Sequence, residues 1–458
     1  MKVLFATAEL APLVRVGGLS YAAAGLVRQL HAEGNEVTVV LPDYGTYDAA
    51  LGGDEPLDMP GWVGITTIRR GTVGDGVPLV AVRTPAIERP HPYNDGDGRG
   101  WRDNDFRFMA FSAAVAELAA RLDPDVLHVN DWHTGASLGM VHQPVPSVFT
   151  IHNLAYQGMA DGGWAGMLHH RPEAYEWHGT VNPMSGAIAL ADRVVAVSPN
   201  YVHEIRRPEG GFGLDGPLRA RGDALVGILN GIDTGEWNPS TDAHLAEPFD
   251  AEDLAGKAAA RRDLIADCGW EPNRDPVIGM VTRLTAQKGV DLAIDMIDYL
   301  DRFPARMVIL GSGDRELAER AHWATVGRAE VARFVEGYDE SLSHRIFAGS
   351  DLLLMPSRFE PCGLAQMQAM IYGTIPVVTD VGGLRDTVID SDLHESAGTG
   401  FVAGEVTPMA LLDALHRATR AWRSPTRRKA IQQRGMRHDW SWREPARRHI
   451  ELYEQISR

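Results

Sequence analysis

The sequence contains very little cysteine and very little lysine. Two cysteines, Cys268 and Cys362, occur among 458 residues, so the chain cannot hold a disulfide framework. This favours a reducing, cytoplasmic setting. Lysine occurs only at positions 2, 257, 288 and 429, so 40 of the 44 basic residues are arginine. A lysine inside a motif is therefore a stronger functional candidate here than it would be in a lysine-rich chain.

Other absences limit the class of function. No apolar run approaches the roughly 18 residues of a membrane span. The apolar run at residues 3–8 is too short for the core of a secretory signal, and we predict a strand there. The net charge of −17 disfavours nucleic acid as a partner, because its phosphates would be repelled. The chain has no G-x-S-x-G and no H-E-x-x-H motif, which disfavours a serine or metal hydrolase.

The length and pattern of the chain predict two α/β domains. A chain of 458 residues is too long for one ordinary core, and 44% hydrophobic with 23% charged residues is typical of a globular protein. Strand-like and helix-like stretches alternate, which favours parallel sheets. The predicted strands are residues 3–7, 37–41, 125–129, 147–151 and 193–197, and, beyond a polar passage at 238–248, residues 277–281, 307–310, 352–355 and 375–378.

We therefore expect two doubly wound domains with a cleft between them. The predicted N-terminal domain spans residues 1–240, and the predicted second domain spans residues 241–436. Residues 437–458 are predicted to form a final helix. The first helix is predicted at residues 20–33, with Ser20 as its N-cap.

The first candidate site is the loop that follows the first predicted strand. Its sequence is Arg15-Val16-Gly17-Gly18-Leu19, and glycines let backbone N–H groups approach a phosphate without interference from Cβ atoms. The loop is neither a G-x-G-x-x-G motif nor a P-loop, so dinucleotide binding or ATP hydrolysis by those routes is unsupported. A purely structural turn before a helix is the alternative.

Two cations form the second candidate site. Arg283 and Lys288 follow the predicted strand 277–281 in the sequence TRLTAQKG. Two cations at the carboxyl end of a strand can neutralise a leaving diphosphate without a metal. A solvated loop is the alternative, but the rarity of lysine in this chain favours a function for Lys288.

Polar residues end two further predicted strands. Residues 130–133 (NDWH) follow one strand, and His152 follows the next. A single histidine is more often structural, but two polar clusters on neighbouring strand ends favour a site. His152 is a candidate to hydrogen-bond a sugar hydroxyl, and Asp131 is a candidate to orient a sugar ring or an acceptor.

The segment 357–378 (SRFEPCGLAQMQAMIYGTIPVV) is the most informative one. It follows the predicted buried strand 352–355 with an acid, Glu360, then a tight turn (PCG), then the start of a helix. Helix N-termini offer unpaired N–H groups and the positive end of a dipole, and open α/β sheets bind ligands at the carboxyl ends of their strands. We interpret the segment as the donor-binding loop of an enzyme that uses nucleotide sugars.

Taken together, these motifs resemble those of the bacterial glycogen synthase and plant starch synthase family. The similarity runs nearly from end to end, and the passages that carry it occur in the family's order. They are KVLFATAELAPLVRVGGL, DNDFRF, VNDWHTG, TIHNLAYQG, ADRVVAVSP, NGIDTGEWNP, VTRLTAQKG, EGYDESLSHRIFAGSDLLLMPSRFEPCGLAQM and VGGLRDTV. The resemblance implies a GT-B fold, in which two Rossmann-like domains face each other across a cleft and the last helix returns to the N-terminal domain.

The resemblance also implies which residues bind the donor. Arg283 and Lys288 would hold its diphosphate, together with the loop of Arg15 and the Gly17-Gly18 backbone. Tyr338 would stack on the nucleobase. The hydroxyls of the transferred sugar would bind a further set of groups, namely the side chain of Glu360 and the backbone of Cys362, Gly363 and Leu364.

The implied reaction is the transfer of glucose from ADP-glucose to the non-reducing end of an α-1,4-glucan, with retention of the anomeric configuration. His152 and Asp131 would lie near the anomeric carbon and the acceptor, and Asn230 would line the cleft. No carboxylate is an obvious covalent nucleophile, so we expect same-face displacement in which the leaving diphosphate takes the proton of the acceptor. The resemblance implies no cofactor and no divalent metal.

Four features depart from the family pattern. The family usually has lysine at the positions of Arg15 and Ser185, bacterial members often have threonine at Ala365, and the segment 89–102 is shortened and unusual. These departures leave the donor and the acceptor open. The alternatives are a transferase or pseudo-transferase that joins a nucleotide-activated sugar or cyclitol to a small acceptor, as in acarbose-like natural products, and a non-catalytic glucan-binding protein. The sequence gives no oligomeric state.

Overall fold

The structure is a computed structural model, and it describes residues 1–46, 50–96, 98–300 and 303–457. Residue 97, within the unusual segment 89–102, lies outside the described residues. The chain divides into two compact units. Unit 1 comprises Met1–Gly231 and Trp442–Arg458, and unit 2 comprises Ile232–Ser441. The division therefore falls after residue 231 and after residue 441, where the sequence analysis expects it after residues 240 and 436.

Unit 1 contains a nine-stranded sheet and a two-stranded one. The strands are β1 (Lys2–Ala6), β2 (Glu36–Pro42), β3 (Glu55–Leu57), β4 (Thr66–Val73), β5 (Val77–Arg83), β6 (Val126–Asn130), β7 (Ser147–Ile151), β8 (Glu176–Trp177), β9 (Thr180–Val181), β10 (Arg193–Ala196) and β11 (Leu225–Gly227). The order in the large sheet is β11-β10-β7-β6-β1-β2-β5-β4-β3, and the strands from β11 to β5 are parallel. Its central strands are buried on both faces, which explains their continuous apolar runs.

One edge of this sheet is antiparallel, and the sequence analysis assigns no strand to it. Strands β3, β4 and β5 pair antiparallel, with Val73 opposite Val77 across a short turn. Gly74 and Gly76 in that turn have φ angles of 52° and 89°. These left-handed conformations favour glycine and close the hairpin.

Helices cover the sheet of unit 1. They are α1 (Gly18–Ala32), α2 (Asn104–Leu122), α3 (Trp132–Gly135), α4 (Ser137–Met140), α5 (Pro183–Leu190), α6 (Pro199–Ile205), α7 (Pro208–Gly211) and α8 (Asp215–Ala220), with 3₁₀ turns at Gly162–Met167, Pro172–Ala174 and Gly222–Ala224. The prediction that the first helix begins after an N-cap at Ser20 is wrong. The N-cap is Gly17, which has an extended backbone, and the Ser20 hydroxyl donates to the Gly17 carbonyl over 2.7 Å from inside the first turn.

Unit 2 contains one fully parallel six-stranded sheet. Its strands are β12 (Val277–Leu284), β13 (Arg306–Gly313), β14 (Ala332–Glu336), β15 (Leu352–Met355), β16 (Ile375–Thr379) and β17 (Phe401–Ala403). Their order is β14-β13-β12-β15-β16-β17. The sequence analysis predicts four of these strands, and it places each within three residues of its observed ends.

Helices pack on both faces of this sheet, as expected of a doubly wound domain. They are α9 (Ala255–Asp267), α10 (Val290–Met296), α11 (Arg315–Val326), α12 (Glu340–Gly349), α13 (Ala365–Ile371), α14 (Gly382–Thr387), α15 (Pro408–Trp422) and α16 (Pro425–Arg437), with 3₁₀ turns at Ala286–Lys288 and Ile297–Tyr299. Apolar side chains of α10, α11 and α15 form one cluster with the sheet, and those of α9 and α12 form another.

The last helix, α17 (Arg443–Ile456), belongs to unit 1. It begins six residues later than predicted, because residues up to Arg437 still belong to α16. Trp442 packs so closely on α1 that a Cβ atom added to Gly25 would lie 1.9 Å from the indole Nε1. Further along α17, the Tyr453 hydroxyl hydrogen-bonds His128 Nδ1 in β6 over 2.6 Å.

Among the described residues, no helix combines the length and the apolar character needed to cross a membrane.

Candidate active site

In unit 1, the polar residues that follow two neighbouring strands meet at the carboxyl ends of those strands, as the sequence predicts. Strands β6 and β7 are paired, with Asn130 opposite Thr150. Asp131 follows β6 with a φ of 52° and a ψ of −176°, a backbone conformation that residues other than glycine rarely adopt. Its carboxylate oxygen Oδ1 accepts the N–H of His152 over 2.8 Å, so the carboxylate ties the ends of the two strands together.

His152 is held in one orientation by Asn130. The ring nitrogen Nε2 lies 2.9 Å from Asn130 Oδ1, and Asn130 Nδ2 in turn donates to the Ala6 carbonyl over 3.0 Å. Because a carbonyl oxygen can only accept, Nε2 carries the proton and Nδ1 is the acceptor. Burial, and after it the neighbouring His449, lowers the pKa of His152 to about 3. The imidazole is therefore neutral at pH 7, and its Nδ1 can accept a hydrogen bond from a hydroxyl group.

Asp131 has the opposite shift. Burial raises the pKa of its carboxyl to about 7, although hydrogen bonds from the backbone N–H groups of His152 and Asn153 act to lower it. Only 7% of the residue is exposed. Near neutral pH the group can therefore be either a carboxylate or a carboxylic acid, and this is typical of groups at functional sites.

The glycine loop already binds an anion of the chain itself. The N–H groups of Val16 and Gly17 donate to Glu9 Oε2 over 3.0 and 2.8 Å, and Tyr93 donates its hydroxyl proton to Glu9 Oε1 over 2.7 Å. The N–H of Gly18 has no hydrogen-bond acceptor among the residues that the structure describes. The Gly17 amide is therefore committed to Glu9, and Gly18 is the member of the pair that can still receive a phosphate oxygen.

A small cavity in unit 1 is lined by two of the predicted site residues, His152 and Asn230. It has about 10 Å³ of space, roughly what one water molecule needs, and Asn130, His152 and Asn230 line it together with Trp442 and His449. His152 and Asn230 are named for this region from the sequence, and Asn130 belongs to the predicted polar cluster 130–133 without a role of its own, whereas His449 and, in the glycine loop, Glu9 are missed. Glu9 could have been suspected, since it is an acid that directly follows the apolar run 3–8.

Two of the unusual residues lie in well-defined surroundings. Arg15 is exposed, and its guanidinium lies 5.9 Å from the ring centroid of Tyr21. Ser185 is buried in α5, where its N–H donates to Asn182 Oδ1 and its hydroxyl donates to the Ala174 carbonyl. Ser185 therefore serves the packing of its own helix.

In unit 2, Arg283 lies inside a strand and not in a loop as predicted. The ladder between β12 and β13 continues to Leu284, with Arg283 opposite Ser312. This is possible because Gly311 and Gly313 lack Cβ atoms, which would lie 2.1 and 2.5 Å from carbonyl oxygens of β12. The half-buried guanidinium of Arg283 makes no hydrogen bond or ion pair with any described residue, so its charge is available to a ligand.

Lys288 forms an ion pair with Glu360. Its Nζ donates to Glu360 Oε2 over 2.5 Å, and the exposed fractions of the two side chains are 17% and 5%. Ser357 donates its hydroxyl proton to the same carboxylate oxygen over 3.1 Å. Gly289, with a φ of 64°, lets the turn approach β15, since a Cβ there would lie 2.0 Å from the Pro356 carbonyl. The pair thus joins the segments that follow two adjacent strands, β12 and β15.

The turn after Glu360 is built by close backbone contacts. Gly363 has a φ of 74°, and Gln366 Nε2 donates to the carbonyls of Cys362 and Gly363 over 3.1 and 3.0 Å. A Cβ atom on Gly383 would lie 2.1 Å from the Cys362 carbonyl, so glycine is required at that position. Leu364 is the N-cap of α13, and Ala365 is its first residue. These contacts hold the backbone of residues 362–364, which follows Glu360 closely in the chain, in one conformation.

Tyr338 lies between β14 and α12, and 67% of it is exposed. Its hydroxyl is 3.5 Å from Glu340 Oε2. A large exposed aromatic ring is suited to stacking on a planar ligand. Within unit 2 the structure thus brings Lys288 and Glu360 into contact, and it places Arg283 and Tyr338 at the carboxyl ends of β12 and β14.

Two family models match the chain. The model described as "Starch synthase catalytic domain" matches residues 2–220, and the model described as "Glycosyl transferases group 1" matches residues 269–436. The chain is also similar to the glycogen synthases of Thioalkalivibrio sulfidiphilus and Anaeromyxobacter dehalogenans. Each is 41% identical, and each alignment covers 100% of both proteins.

Two solved structures have the same fold. The catalytic domain of starch synthase IV from Arabidopsis thaliana, bound to ADP and acarbose, has a TM-score of 0.91 and 32% identity, covering 100% of this chain and 99% of that one. Sucrose-phosphate synthase from Thermosynechococcus elongatus has a TM-score of 0.66 and 16% identity, covering 99% and 98%. The prediction of a two-domain GT-B protein is confirmed.

The raised pKa of Asp131 predicts how its substitution changes the pH dependence of stability. Between about pH 4 and pH 7 the native state retains a proton that an unfolded carboxyl has lost. The contribution of this group to the free energy of unfolding therefore falls as pH rises through that range. Asn does not titrate, has nearly the same shape as Asp and keeps an Oδ1 that can accept the same backbone N–H groups, so Asp131→Asn should stabilise the protein progressively, relative to wild type, as pH rises.

Thermal midpoints measured from pH 4.5 to pH 7.5 check this expectation. The exposed Asp223, changed to Asn, is the matched control, and its midpoints should follow those of the wild type. A constant difference between Asp131→Asn and wild type across the range would show that Asp131 does not carry the shifted proton.

Proposed function

The chain belongs to the glycogen synthase and starch synthase family of glycosyltransferases, and from this premise we propose that it transfers glucose from ADP-glucose to the non-reducing end of an α-1,4-glucan, retaining the anomeric configuration. The observation that carries the proposal is the 41% identity with glycogen synthases along the whole length of both chains. The starch synthase structure contains ADP and acarbose. This supports an adenosine diphosphate sugar as donor and an oligosaccharide as acceptor.

The cationic side chains of Arg283 and Lys288 in unit 2 support a mechanism in which the diphosphate leaves without the help of a metal ion. Arg283 provides a fork of donors with no competing partner among the described residues, and Lys288 is held by Glu360. A lysine ammonium has three donors, so Lys288 can bind Glu360 and a phosphate oxygen at the same time. Such preorganised charge stabilises the negative charge that grows on the leaving group. In unit 1, the Gly18 amide and Arg15 are the proposed phosphate-binding groups.

The sugar and the base of the donor would be held by neighbouring groups of unit 2. Glu360 has a second carboxylate oxygen, Oε1, that can accept a sugar hydroxyl, and the amides of Cys362, Gly363 and Leu364 can donate to others. The exposed ring of Tyr338 would stack on the nucleobase. Stacking does not read the edge of a base, so the preference for adenine rests on the similarity to the ADP-bound enzyme.

The acceptor side would be provided by unit 1. The neutral His152 presents Nδ1 as an acceptor for a sugar hydroxyl, and Asp131 and Asn130 fix its backbone and its ring. Because the pKa of His152 is far below neutral, it does not act as a strong base. This is consistent with a mechanism in which the leaving diphosphate itself receives the proton of the acceptor hydroxyl, while Asn230 shapes the same pocket.

The proposed reaction can be tested with labelled ADP-glucose and glycogen. We expect label in polymer that α-amylase digests, at a rate that does not depend on added Mg²⁺. The contacts of Tyr93 with Glu9 show that the unusual segment 89–102 reaches the glycine loop, so a changed acceptor is the second candidate. Absence of label in any glucan, together with transfer to a small sugar or cyclitol, would establish that second candidate and contradict the first.

Substitution of Lys288 tests the mechanism. Lys288→Ala should reduce the turnover number on the order of 10²–10³-fold, because it removes a donor aimed at the leaving diphosphate. The exposed Lys429, changed to Ala, is the matched control and should retain wild-type turnover.

A paired variant separates this effect from the cost of an unpaired buried carboxylate, since breaking a buried ion pair is itself destabilising. The double variant Lys288→Met with Glu360→Gln leaves no unpaired charge. We expect it to fold and to be at least as slow as Lys288→Ala, because Glu360 is itself proposed to bind the sugar. Recovery of turnover in the double variant would mean that the pair is structural and that Lys288 does not act on the donor.

A further inference from the structure

Unit 2 also contains a cluster of side chains that could bind a metal ion. None of these residues has a role in the proposed reaction. Candidate ligand atoms of Glu236, Glu340 and His344 all lie within 4.8 Å of one another. Glu340 and His344 are four residues apart on α12, so they lie on the same face of that helix. Glu236 approaches from the segment that precedes Trp237. Three groups from two separate segments therefore converge on one point.

His344 is prepared to act as a ligand. Its Nδ1 lies 2.7 Å from Asp242 Oδ2, and a carboxylate can only accept, so Nδ1 carries the proton and Nε2 has the lone pair. Tyr372 donates its hydroxyl proton to the same carboxylate oxygen, which holds the aspartate in place. The ring of Trp237 stacks on the imidazole at a centroid distance of 3.9 Å. A carboxylate behind one nitrogen of an imidazole is the usual support of a metal-bound histidine.

The remaining nitrogen of His344 is buried and has no partner. The residue is 2% exposed, and Nε2 makes no hydrogen bond with any residue that the structure describes. Leaving a buried polar atom without a hydrogen-bond partner is unfavourable, because its lost contact with water is not replaced. A ligand that meets this lone pair would remove that cost.

We propose that Glu236, Glu340 and His344 bind one divalent transition-metal ion, with Zn²⁺ as the expected occupant. One imidazole nitrogen and two carboxylates form a donor set that suits zinc, at about 2.0–2.2 Å from each ligand atom. The present spacing, within 4.8 Å between ligand atoms, is that of a cluster without an ion. Two negative carboxylates and a neutral imidazole also match the charge of the ion.

His344 also belongs to a second group of candidate ligands, which consists of Asp242, His244 and His344. That grouping is less suited to an ion, because Asp242 already accepts a hydrogen bond from His344 and another from Tyr372. An imidazole ligand also favours zinc over Mg²⁺ and Ca²⁺, which prefer oxygen donors. The ion would tie the start of α12 to the segment before Trp237, so its expected effect is on stability.

The experiment is a titration of the full-length protein with Zn²⁺ after dialysis against a chelator. Binding is measured by competition with a chromogenic chelator, and stability by the thermal midpoint. We expect one ion per chain in the wild type, with a raised midpoint. Removing His344 risks the fold, so the variants are Glu236→Gln and Glu340→Gln, which keep the shape of each side chain. Each should weaken Zn²⁺ binding by about 100-fold.

The matched control is Glu395→Gln, an exposed glutamate outside the cluster, which should bind Zn²⁺ like the wild type. Mg²⁺ at the same concentration should leave the midpoint unchanged. The proposal is overturned if the wild type binds no Zn²⁺, if both cluster variants bind it as well as the wild type, as adventitious binding at surface histidines would, or if Mg²⁺ produces an equal shift. None of these readouts depends on glycosyltransferase activity, so the metal site and the proposed reaction can fail separately.

Discussion

The ion pair between Lys288 and Glu360 is the interaction on which the organisation of the candidate donor site depends. It joins the turn after β12 to the turn after β15, and these strands are adjacent in a parallel sheet. Burying two charges costs desolvation energy that their attraction offsets only in good geometry, so the pair contributes little net stability. Its main contribution is to hold the two charged side chains in place. The backbone of residues 362–364 follows Glu360 closely in the chain, and the parallel sheet directs all of these groups to one edge.

In unit 1, side chains also join the ends of two adjacent strands, but through hydrogen bonds and not through an ion pair. There the carboxyl ends of β6 and β7 are joined by Asp131, which accepts backbone N–H groups, and His152 is oriented by Asn130. Burial shifts the pKa values of the two titratable groups in opposite senses, to about 3 for His152 and about 7 for Asp131. An almost neutral pair suits the binding of uncharged sugar hydroxyls, whereas the cationic side chains of Arg283 and Lys288 in unit 2 suit a diphosphate.

The features that could be predicted from the sequence are those that follow from apolar periodicity and from polar residues at strand ends. The features that depend on tertiary contacts were missed. The parallel strands, the two-domain class and the adjacency of Asp131 and His152 follow from apolar runs that end in polar residues. The extension of β12 through Arg283 does not, because it depends on two glycines of the neighbouring strand. The position of Glu9 directly after the apolar run 3–8 marks it as a candidate in the sequence, but its partner, the Gly17 amide, is visible only in the folded loop. The domain bounds and the roles of single residues stay predictions.

A crystal structure of the protein with bound ADP would test the central claim most directly, namely that Arg283 and Lys288 together receive the diphosphate of the donor. The account predicts phosphate oxygens within about 3.2 Å of the Arg283 guanidinium and of Lys288 Nζ, with the Lys288–Glu360 contact retained. A diphosphate bound away from both cations, with Lys288 paired to Glu360 alone, would contradict it.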